Sequence, residues 1–234
     1  SKGSYGAPRI HQALRRTGWQ VSRPRVARLM RKAGIASTIC SKWVATTDSD
    51  HPQLVSPNLL DRQFNPAELS KVWVSDITYL PSENGWMYLT TVMDLGDRKI
   101  IGWALSRTME ARDTTIAAFK QALAHRRPSP GMIFHSDRGS QYSGQEFRTL
   151  LEAYHIQQSM SRRGNCWDNA PAESFFKSLK YEARMPKRLA SYSQARRILF
   201  DYIECWYNTN RLHSALGYRT PSEMEQLLTQ NRAA

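Results

Sequence analysis

The chain of 234 residues has little cysteine, no long hydrophobic run and no acidic residue near its start. Its 3 cysteines, Cys40, Cys166 and Cys205, are far apart, which argues against a disulfide framework or a zinc site built on paired cysteines. No apolar stretch approaches the roughly 20 residues that cross a bilayer, and no segment has the pattern of a secretory signal peptide. These absences predict a cytoplasmic protein with reduced thiols and no membrane partner.

Charge is distributed unevenly along the chain. The formal net charge is +13, and residues 1–47 hold ten Lys or Arg side chains but no Asp or Glu. A basic surplus of this size favours a polyanionic partner, because neutralising phosphates releases their counterions. A solvated basic surface is the alternative interpretation. The asymmetry indicates a separate nucleic-acid-binding module at the start of the chain.

Residues 1–43 are expected to form this module as two short helices joined by a tight turn. The first helix begins near Pro8 and stops at Gly18, and Ser22 is a suitable N-cap for the second. The second helix resembles the basic helix of a helix-turn-helix, although a helical hairpin with a solvated basic face has the same pattern. The side chains of this helix that we expect to contact DNA are Arg23, Arg25, Arg28, Arg31 and Lys32.

The rest of the chain divides into three parts. Residues 44–70 are linker-like, because they contain three prolines and few regular apolar positions. Residues 71–190 alternate strand and helix patterns, and residues 191–234 are expected to extend this core with helices. Strands are predicted at 72–80, 86–95, 99–105, 132–135 and 156–160, helices near 112–125 and 144–154, and a third helix that has Pro171 in its first turn and runs to about Ala183. This order predicts an α/β fold with a mixed five-stranded sheet and flanking helices.

Three carboxylates stand at positions that favour metal binding. Asp76 lies within the first strand among apolar neighbours, where a charge is costly unless it is paired or metal-bound. Asp137 directly follows a short strand, where α/β sheets tend to place ligand sites. Glu173 lies in the first turn of a helix that Pro171 helps to start. Each carboxylate taken alone also has a simple structural explanation.

The helix of Glu173 carries a basic stripe. Lys177, Lys180 and Arg184 follow Glu173 at spacings of 4, 7 and 11 residues, which places them on one helical face. A metal-binding carboxylate followed by cations suits a phosphate backbone, so we expect these three residues to contact DNA. The alternative is an ordinary surface helix with a Glu–Lys pair.

The spacing and local sequences resemble a known family. Two Asp and one Glu, with 35 residues between Asp137 and Glu173 and a Lys seven positions after Glu173, match the signature of the DDE transposase and retroviral integrase superfamily. Four local sequences are similar to the transposases of the insertion-sequence-three family: Trp73–Tyr79, His135–Tyr142, Asn165–Phe176 and Tyr207–Pro221. The resemblance runs from about Tyr5 to Glu223, which is almost the whole chain.

This resemblance implies a ribonuclease H-like integrase core in which Asp76, Asp137 and Glu173 are catalytic and bind metal. The implied cofactor is Mg²⁺ or Mn²⁺, two ions per active site, because these cations prefer carboxylate oxygens. The implied reaction cuts DNA at the ends of an insertion sequence and lets a free 3′-OH attack another strand, through a circular intermediate. The expected partners are double-stranded DNA, at transposon ends and target, and further copies of the chain in a homodimer or higher oligomer.

Two other functions stay open, and so do several residue roles. The chain could be a nuclease of the same fold that only hydrolyses DNA, or a non-catalytic DNA-binding regulator of transposition. We expect a bacterial, nucleoid-associated protein, and the start at Ser1 without Met indicates a fragment. The remaining interpretations are a helix cap for Asp168, turn positions for Asp94 and Asp97, metal contact or a strand end for His135, packing rather than base stacking for Trp167, and no evident role for Arg211 and His213.

Overall fold

The computed structural model of the chain describes residues 3–37 and 55–233, and its first elements are two short helices. Helix α1 covers Ala7–Arg16 and helix α2 covers Arg23–Lys32. The predicted N-cap is confirmed, because the Ser22 hydroxyl accepts a hydrogen bond from the backbone N–H of Arg25 at 3.4 Å. Gly18 ends α1 with φ +88°, a conformation that side chains disfavour. Residues 38–43 of the expected module lie outside the described ranges.

A mixed five-stranded sheet forms the centre of the fold, in the order β3-β2-β1-β4-β5. Strands β1 to β3 are antiparallel, whereas β4 runs parallel to β1 and β5 runs parallel to β4. The strands are β1 Val72–Ser82, β2 Gly85–Asp94, β3 Ile100–Ser106, β4 Ile133–Ser136 and β5 Gln157–Met160. The predicted hairpin at Asn84–Gly85 is confirmed, since Ser82 pairs with Gly85 across a two-residue loop.

Helices follow β3 and then alternate with the remaining strands. They are α3 Thr115–His125, α4 Ser140–Ser143, α5 Gln145–Ala153, α6 Ala170–Glu182, α7 Tyr192–Tyr202, α8 Asn208–Asn210 and α9 Pro221–Ala233. A 3₁₀ turn, Cys166–Asn169, precedes α6, and a π-helical turn, Ile203–Tyr207, continues α7. None of the helices within the described ranges is long and apolar enough to cross a membrane.

The two faces of the sheet carry separate cores. Alternate residues of a strand point to opposite faces, so Trp73 and Val74 of β1 belong to different clusters. Val74 packs in the core that contains Phe175 of α6, whereas Trp73 packs in the core of α3 and α5. Asp76 has the same parity as Val74. The pleat of β1 therefore directs Asp76 to the face covered by α6.

Residues 55–70 contain no helix or strand but lie against the sheet. Leu60 is buried, and the backbone N–H groups of Leu59 and Leu60 donate to the Ser159 hydroxyl at 2.9 and 3.3 Å. The described part of the predicted linker is thus packed along β5. Residues 44–54 lie outside the described ranges, and the linker boundaries stay a prediction.

The start of the chain contacts its C-terminal part. The Tyr5 ring is buried and lies 6.0 Å from the Trp206 ring, while its hydroxyl accepts from the Leu212 N–H at 2.8 Å. Arg16 of α1 donates to the Tyr218 carbonyl and pairs with Glu223 at the start of α9. Tyr5 and helix α1 therefore contact the region 207–221, which carries one of the family-like sequences.

Candidate active site

Asp76 and Asp137 end up side by side because of strand register. Strands β1 and β4 are parallel neighbours, and Val74 is opposite His135. Asp76 and Asp137 each lie two residues further along, so they stand at the same level of adjacent strands. Both side chains are half-buried.

Backbone amides orient the two aspartates. The N–H of Ile77 donates to Asp76 Oδ1 at 2.8 Å, and the N–H of Gly139 donates to Asp137 Oδ1 at 3.0 Å. A Cβ at position 139 would lie 3.1 Å from that same Asp137 oxygen. The turn after β4 therefore packs closely against Asp137. Glycine at position 139 avoids a short contact between a Cβ and that Asp137 oxygen.

Glu173 is brought to the aspartates by the start of α6. The Asn169 side chain, just before the helix, donates from Nδ2 to the Ser75 carbonyl at 3.0 Å, next to Asp76. Phe175 and Leu179 then bury the helix against the sheet. The Asn169 Oδ1 atom is buried and has no hydrogen-bond partner within the described residues.

The three carboxylates share one electrostatic environment. Burial raises the pKa of Asp76 well above its usual range, and repulsion from Asp137 and, to a smaller degree, from Glu173 raises it further. The Ile77 N–H and Lys180 act in the opposite direction on that pKa. Burial also raises the pKa of Glu173. The group as a whole disfavours three negative charges, which a divalent cation would stabilise.

The carboxylates are neighbours but do not form a closed ligand cluster. Across residues 3–37 and 55–233, no three His, Cys, Asp or Glu side chains meet at the distances of a complete metal site. The donor set nevertheless fits a hard cation, since it is made of carboxylate oxygens with a buried, unpaired amide oxygen on Asn169 beside them.

His135 is the last residue but one of β4 and is enclosed by serines. It is fully buried, and its two ring nitrogens are hydrogen-bonded with the hydroxyls of Ser159 at 2.8 Å and Ser161 at 3.2 Å. Burial lowers the pKa of His135 to about 4, so the ring is neutral near neutral pH. These contacts agree with a structural role for His135 in the strand and not with the alternative of metal contact.

Asp168 does not cap α6, so that expectation is wrong. Its buried carboxylate accepts hydrogen bonds from Arg162 at 2.8 Å, Arg62 at 2.9 Å and Asn58 at 3.0 Å. These partners, Arg162 first, hold the pKa of Asp168 well below its usual range. The expectation of packing for Trp167 is also wrong, since 69% of this residue is exposed.

Asp94 and Asp97 do lie at the turn after β2, but they also form an ion pair each with Arg126. The Arg126 guanidinium reaches Asp94 at 2.7 Å and Asp97 at 2.8 Å. Both carboxylates are fully buried. The sequence pattern identified the turn and missed the ion pairs, because Arg126 follows about thirty residues later.

Arg211 has a role that sequence reasoning left open. Its buried guanidinium makes two hydrogen bonds of 2.9 Å to the Glu182 carboxylate and a third, also 2.9 Å, to the Ser178 hydroxyl. The Tyr202 hydroxyl donates to the same carboxylate at 3.1 Å. Arg211 therefore fixes the C-terminal half of α6, the helix that carries Glu173. Burial and the nearby Arg211 lower the pKa of His213 well below its usual range.

The predicted DNA-contacting residues lie on exposed surface, with one correction. The basic side chains of α2 are all exposed: Arg23, Arg25, Arg28, Arg31 and Lys32. Lys177 and Lys180 are also exposed on α6. Arg184 does not continue the helical stripe, because α6 ends at Glu182 and Arg184 adopts φ +51°. A left-handed residue turns the chain away from the helix axis.

Three family models match the chain. A model described as an HTH-like domain matches residues 1–42, and two models described as an integrase core domain match residues 67–166 and 154–221. The helix-turn-helix-like reading of the first helices is thereby confirmed. The first integrase model contains Asp76 and Asp137, and the second contains Glu173.

Curated relatives are similar over nearly the whole chain. The transposase for insertion sequence element IS904 from Lactococcus lactis subsp. lactis is 38% identical over 228 residues, which cover 96% of this chain and 88% of the relative. The transposase InsF for insertion sequence IS3A from Escherichia coli K12 is 38% identical over 225 residues, which cover 96% of this chain and 78% of the relative.

Two solved structures share the fold. A chain of the simian T-cell lymphotropic virus intasome has a TM-score of 0.56 and 14% identity, over 76% of this chain and 60% of that chain. The HTLV-2 integrase catalytic core domain in complex with magnesium has a TM-score of 0.51 and 16% identity, over 67% of this chain and 97% of that chain. These likenesses confirm the ribonuclease H-like fold.

Proposed function

Because the chain belongs to the family of insertion-sequence transposases with an integrase core, we propose that it cuts and joins DNA at the ends of an insertion sequence. The observation that carries this proposal is the pairing of β1 with its parallel neighbour β4, which sets Asp76 level with Asp137 directly after β4, with Glu173 of α6 near enough to repel the Asp76 charge. Burial of Asp76 and Glu173, and repulsion of Asp76 by the other two carboxylates, disfavour negative charge at this site. A bound cation would offset both effects.

Asp76, Asp137 and Glu173 would hold the divalent metal, either Mg²⁺ or Mn²⁺. Support comes from the oxygen-only donor set and from the related HTLV-2 core, whose structure is described as a complex with magnesium. Two bound ions stabilise the attacking and the leaving oxygen of an in-line displacement at phosphorus. Asp76 would hold metal together with both other carboxylates, because burial and then the charges of Asp137 and Glu173 disfavour its own negative charge.

The reaction needs no covalent bond to the protein. In the first step, water attacks a phosphodiester at the element end, and the bond to the 3′ oxygen breaks and leaves a 3′-OH. In the second step, this 3′-OH attacks a second phosphodiester, in a target strand or in its own strand, and displaces the 3′ oxygen of that phosphodiester. We infer that one end attacks its own strand beyond the opposite end, which gives the circular intermediate.

DNA would contact two basic surfaces of the chain. The exposed basic side chains of α2 suit the transposon end, while Lys177 and Lys180 on α6 suit the phosphates next to the carboxylates. Arg184 remains exposed just beyond α6 and is included in this surface. Joining two ends requires two active sites, so we propose a homodimer or higher oligomer on DNA, in the bacterial cytoplasm at the nucleoid.

A strand-transfer assay tests the proposal. The substrate is a precut duplex with the terminal sequence of the element that encodes the chain, incubated with a target duplex and Mg²⁺ or Mn²⁺. We expect joined product with the wild-type chain and none with Asp76→Asn. The matched control is Asp201→Asn, because Asp201 is an exposed carboxylate on α7.

The outcomes separate the candidate functions. Joined product that survives Asp76→Asn contradicts the catalytic assignment. Hydrolysis without joining supports a nuclease of the same fold, and DNA binding with neither reaction supports a regulator of transposition. Omission of the divalent metal should remove both reactions and leave DNA binding.

A further inference from the structure

Trp167 is the most exposed of the large hydrophobic side chains that the structure describes, with 69% of its surface accessible. It lies in the 3₁₀ turn Cys166–Asn169, six residues before Glu173. Single exposed hydrophobic residues are common on proteins and need no explanation. A tryptophan of this exposure next to the candidate carboxylates is different, because its neighbours hold it in place.

The two residues after Trp167 anchor the turn. Asp168 is buried and accepts hydrogen bonds from Arg162, Arg62 and Asn58. Asn169 is buried too, and its side chain donates to the Ser75 carbonyl. The backbone at Trp167 is therefore fixed, and its indole stays at the surface.

The same contacts place Trp167 near the reaction centre. Asn169 is bonded to Ser75, the residue before Asp76, and Trp167 is two residues from Asn169, at most about 7 Å along the backbone. Glu173 lies on the helix that begins at this turn. A group that stacks on Trp167 is thus close to DNA bound at the three carboxylates.

The surroundings of Trp167 are polar and basic. Arg62 and Arg162 have side chains that are 45% and 48% exposed, and they balance the charges of Asp168 and of Asp61, which lies 3.6 Å from Arg162; Arg163 adds a further positive charge. Arg163 and Gly164 are exposed as well. A protein interface is expected to place apolar neighbours beside the indole, whereas the exposed residues 162–164 that precede Trp167 are basic or small. A flat aromatic ring amid cations suits a nucleic-acid base instead.

We propose that Trp167 is a stacking platform for an unpaired base of the DNA end that is being cut or joined. This proposal rests on the proposed function, since it assumes that DNA lies across the three carboxylates. Stacking on an aromatic ring is tolerant of base identity, so Trp167 would stabilise an opened end without reading its sequence. The opened end then leaves the phosphodiester accessible to the carboxylates.

The test uses DNA binding, without metal or catalysis. One probe is a short duplex with 2-aminopurine opposite an abasic site near its end, and the other is the fully paired duplex of the same sequence. Wild-type chain should quench the 2-aminopurine of the first probe. Trp167→Ala should bind that probe roughly 5- to 150-fold more weakly and bind the paired probe almost as well as wild type. Trp167→Phe should retain most of the quenching.

Trp86→Ala is the matched control, because Trp86 is 55% exposed at the β1–β2 hairpin. It should leave both probes unaffected. Equal quenching by wild type and Trp167→Ala overturns the proposal. So does loss of self-association by Trp167→Ala with unchanged quenching, since the indole would then contact a second copy.

The quenching and strand-transfer assays fail independently. A wild-type chain that joins DNA but quenches equally with and without Trp167 leaves the proposed function intact and removes the stacking role. A wild-type chain that quenches through Trp167 but neither cuts nor joins DNA removes the proposed function instead.

Discussion

The two ends of α6 carry glutamates in opposite environments. Glu173, at the start, lies near Asp76, and burial raises its pKa. Glu182, at the end, is buried against the Arg211 guanidinium and the Tyr202 hydroxyl. A buried carboxylate is stabilised when a cation and hydrogen-bond donors surround it. The difference teaches that carboxylates which hold this fold together are paired with arginine, whereas the candidate catalytic ones are grouped with one another.

Other acidic residues follow the same division. Asp94 and Asp97 are paired with Arg126, and Asp168 is paired with Arg162. Burial raises the pKa of both Asp97, to about 6, and Asp76, but Arg126 opposes this shift at Asp97, whereas the charges of Asp137 and Glu173 add to it at Asp76. A site arranged in this way is less stable without a cation, and it gains stability when one binds. Four substitutions can break or sharpen this comparison.

The largest expected effect is on activity at the start of α6. Glu173→Gln should reduce strand transfer to background, because a neutral amide is a poor ligand for Mg²⁺. The melting temperature of the variant should stay the same or rise, since it no longer places a negative charge at this partly buried position. Strand transfer at the wild-type rate, or loss of the folded state, would contradict the division between the two glutamates.

The next effect is on stability at the end of α6. Arg211→Met leaves Glu182 buried without its cation and should cost about 3–5 kcal/mol of the free energy of unfolding. The double variant Arg211→Met/Glu182→Leu should recover most of this loss, because it removes the uncompensated charge as well. Urea unfolding of the three proteins measures both quantities. A loss below about 1 kcal/mol for the single variant would show that the pair is not needed.

A smaller effect is expected for Asp76→Asn without divalent metal. The folded state raises the pKa of Asp76, so this residue destabilises folding increasingly as the pH rises from the ordinary pKa of an aspartate to that raised pKa, and the loss is complete above it. Asparagine keeps the oxygen that accepts from the Ile77 N–H and removes the charge. We expect a melting temperature a few degrees higher than wild type at neutral pH.

Two controls accompany the Asp76→Asn melting curves. The difference from wild type should disappear below the ordinary pKa of an aspartate, where both side chains are neutral. Addition of Mg²⁺ should stabilise the wild type and leave the variant nearly unchanged. A variant that is less stable than wild type at neutral pH, or one that responds fully to Mg²⁺, contradicts the idea of mutual repulsion.

The smallest effect is expected at the exposed ion pair between the N-terminal helices and α9. The side chains of Arg16 and Glu223 are 41% and 38% exposed, so solvent screens their attraction. Arg16→Ala should change the free energy of unfolding by at most about 1 kcal/mol. Urea unfolding at low and high salt checks this, and a loss as large as that of Arg211→Met would remove the distinction between buried and exposed pairs.

Much of the fold follows from local patterns. The Ser22 cap, the Asn84–Gly85 hairpin and the strand of Asp76 were predictable, because capping, turns and hydrophobic periodicity depend on residues only a few positions apart. The end of α6 was not predictable in this way, because the spacing of the basic residues places Arg184 on the helix. The left-handed conformation there depends on contacts beyond the local sequence.

The candidate site was predictable only through the spacing of its residues and the resemblance. Asp76 in a strand and Glu173 in a first turn have ordinary explanations on their own. The parallel pairing of β1 with β4, which sets Asp76 beside Asp137, joins strands about sixty residues apart. The sequence leaves packing and base stacking open for Trp167 and favours packing, whereas the anchoring of Asp168 and Asn169 sets its exposure.

The sequence by itself determined the helices, the strands, the basic surplus at the start of the chain and the identity of three candidate carboxylates. Only the tertiary structure decided which acidic side chains are paired with arginine and which are grouped, as Glu182 and Glu173 show on one helix. The physical reason is the distance along the chain over which each effect acts. Helix and turn preferences act over a few residues, whereas the environment of a charge depends on segments that folding brings together, such as Arg211 against α6.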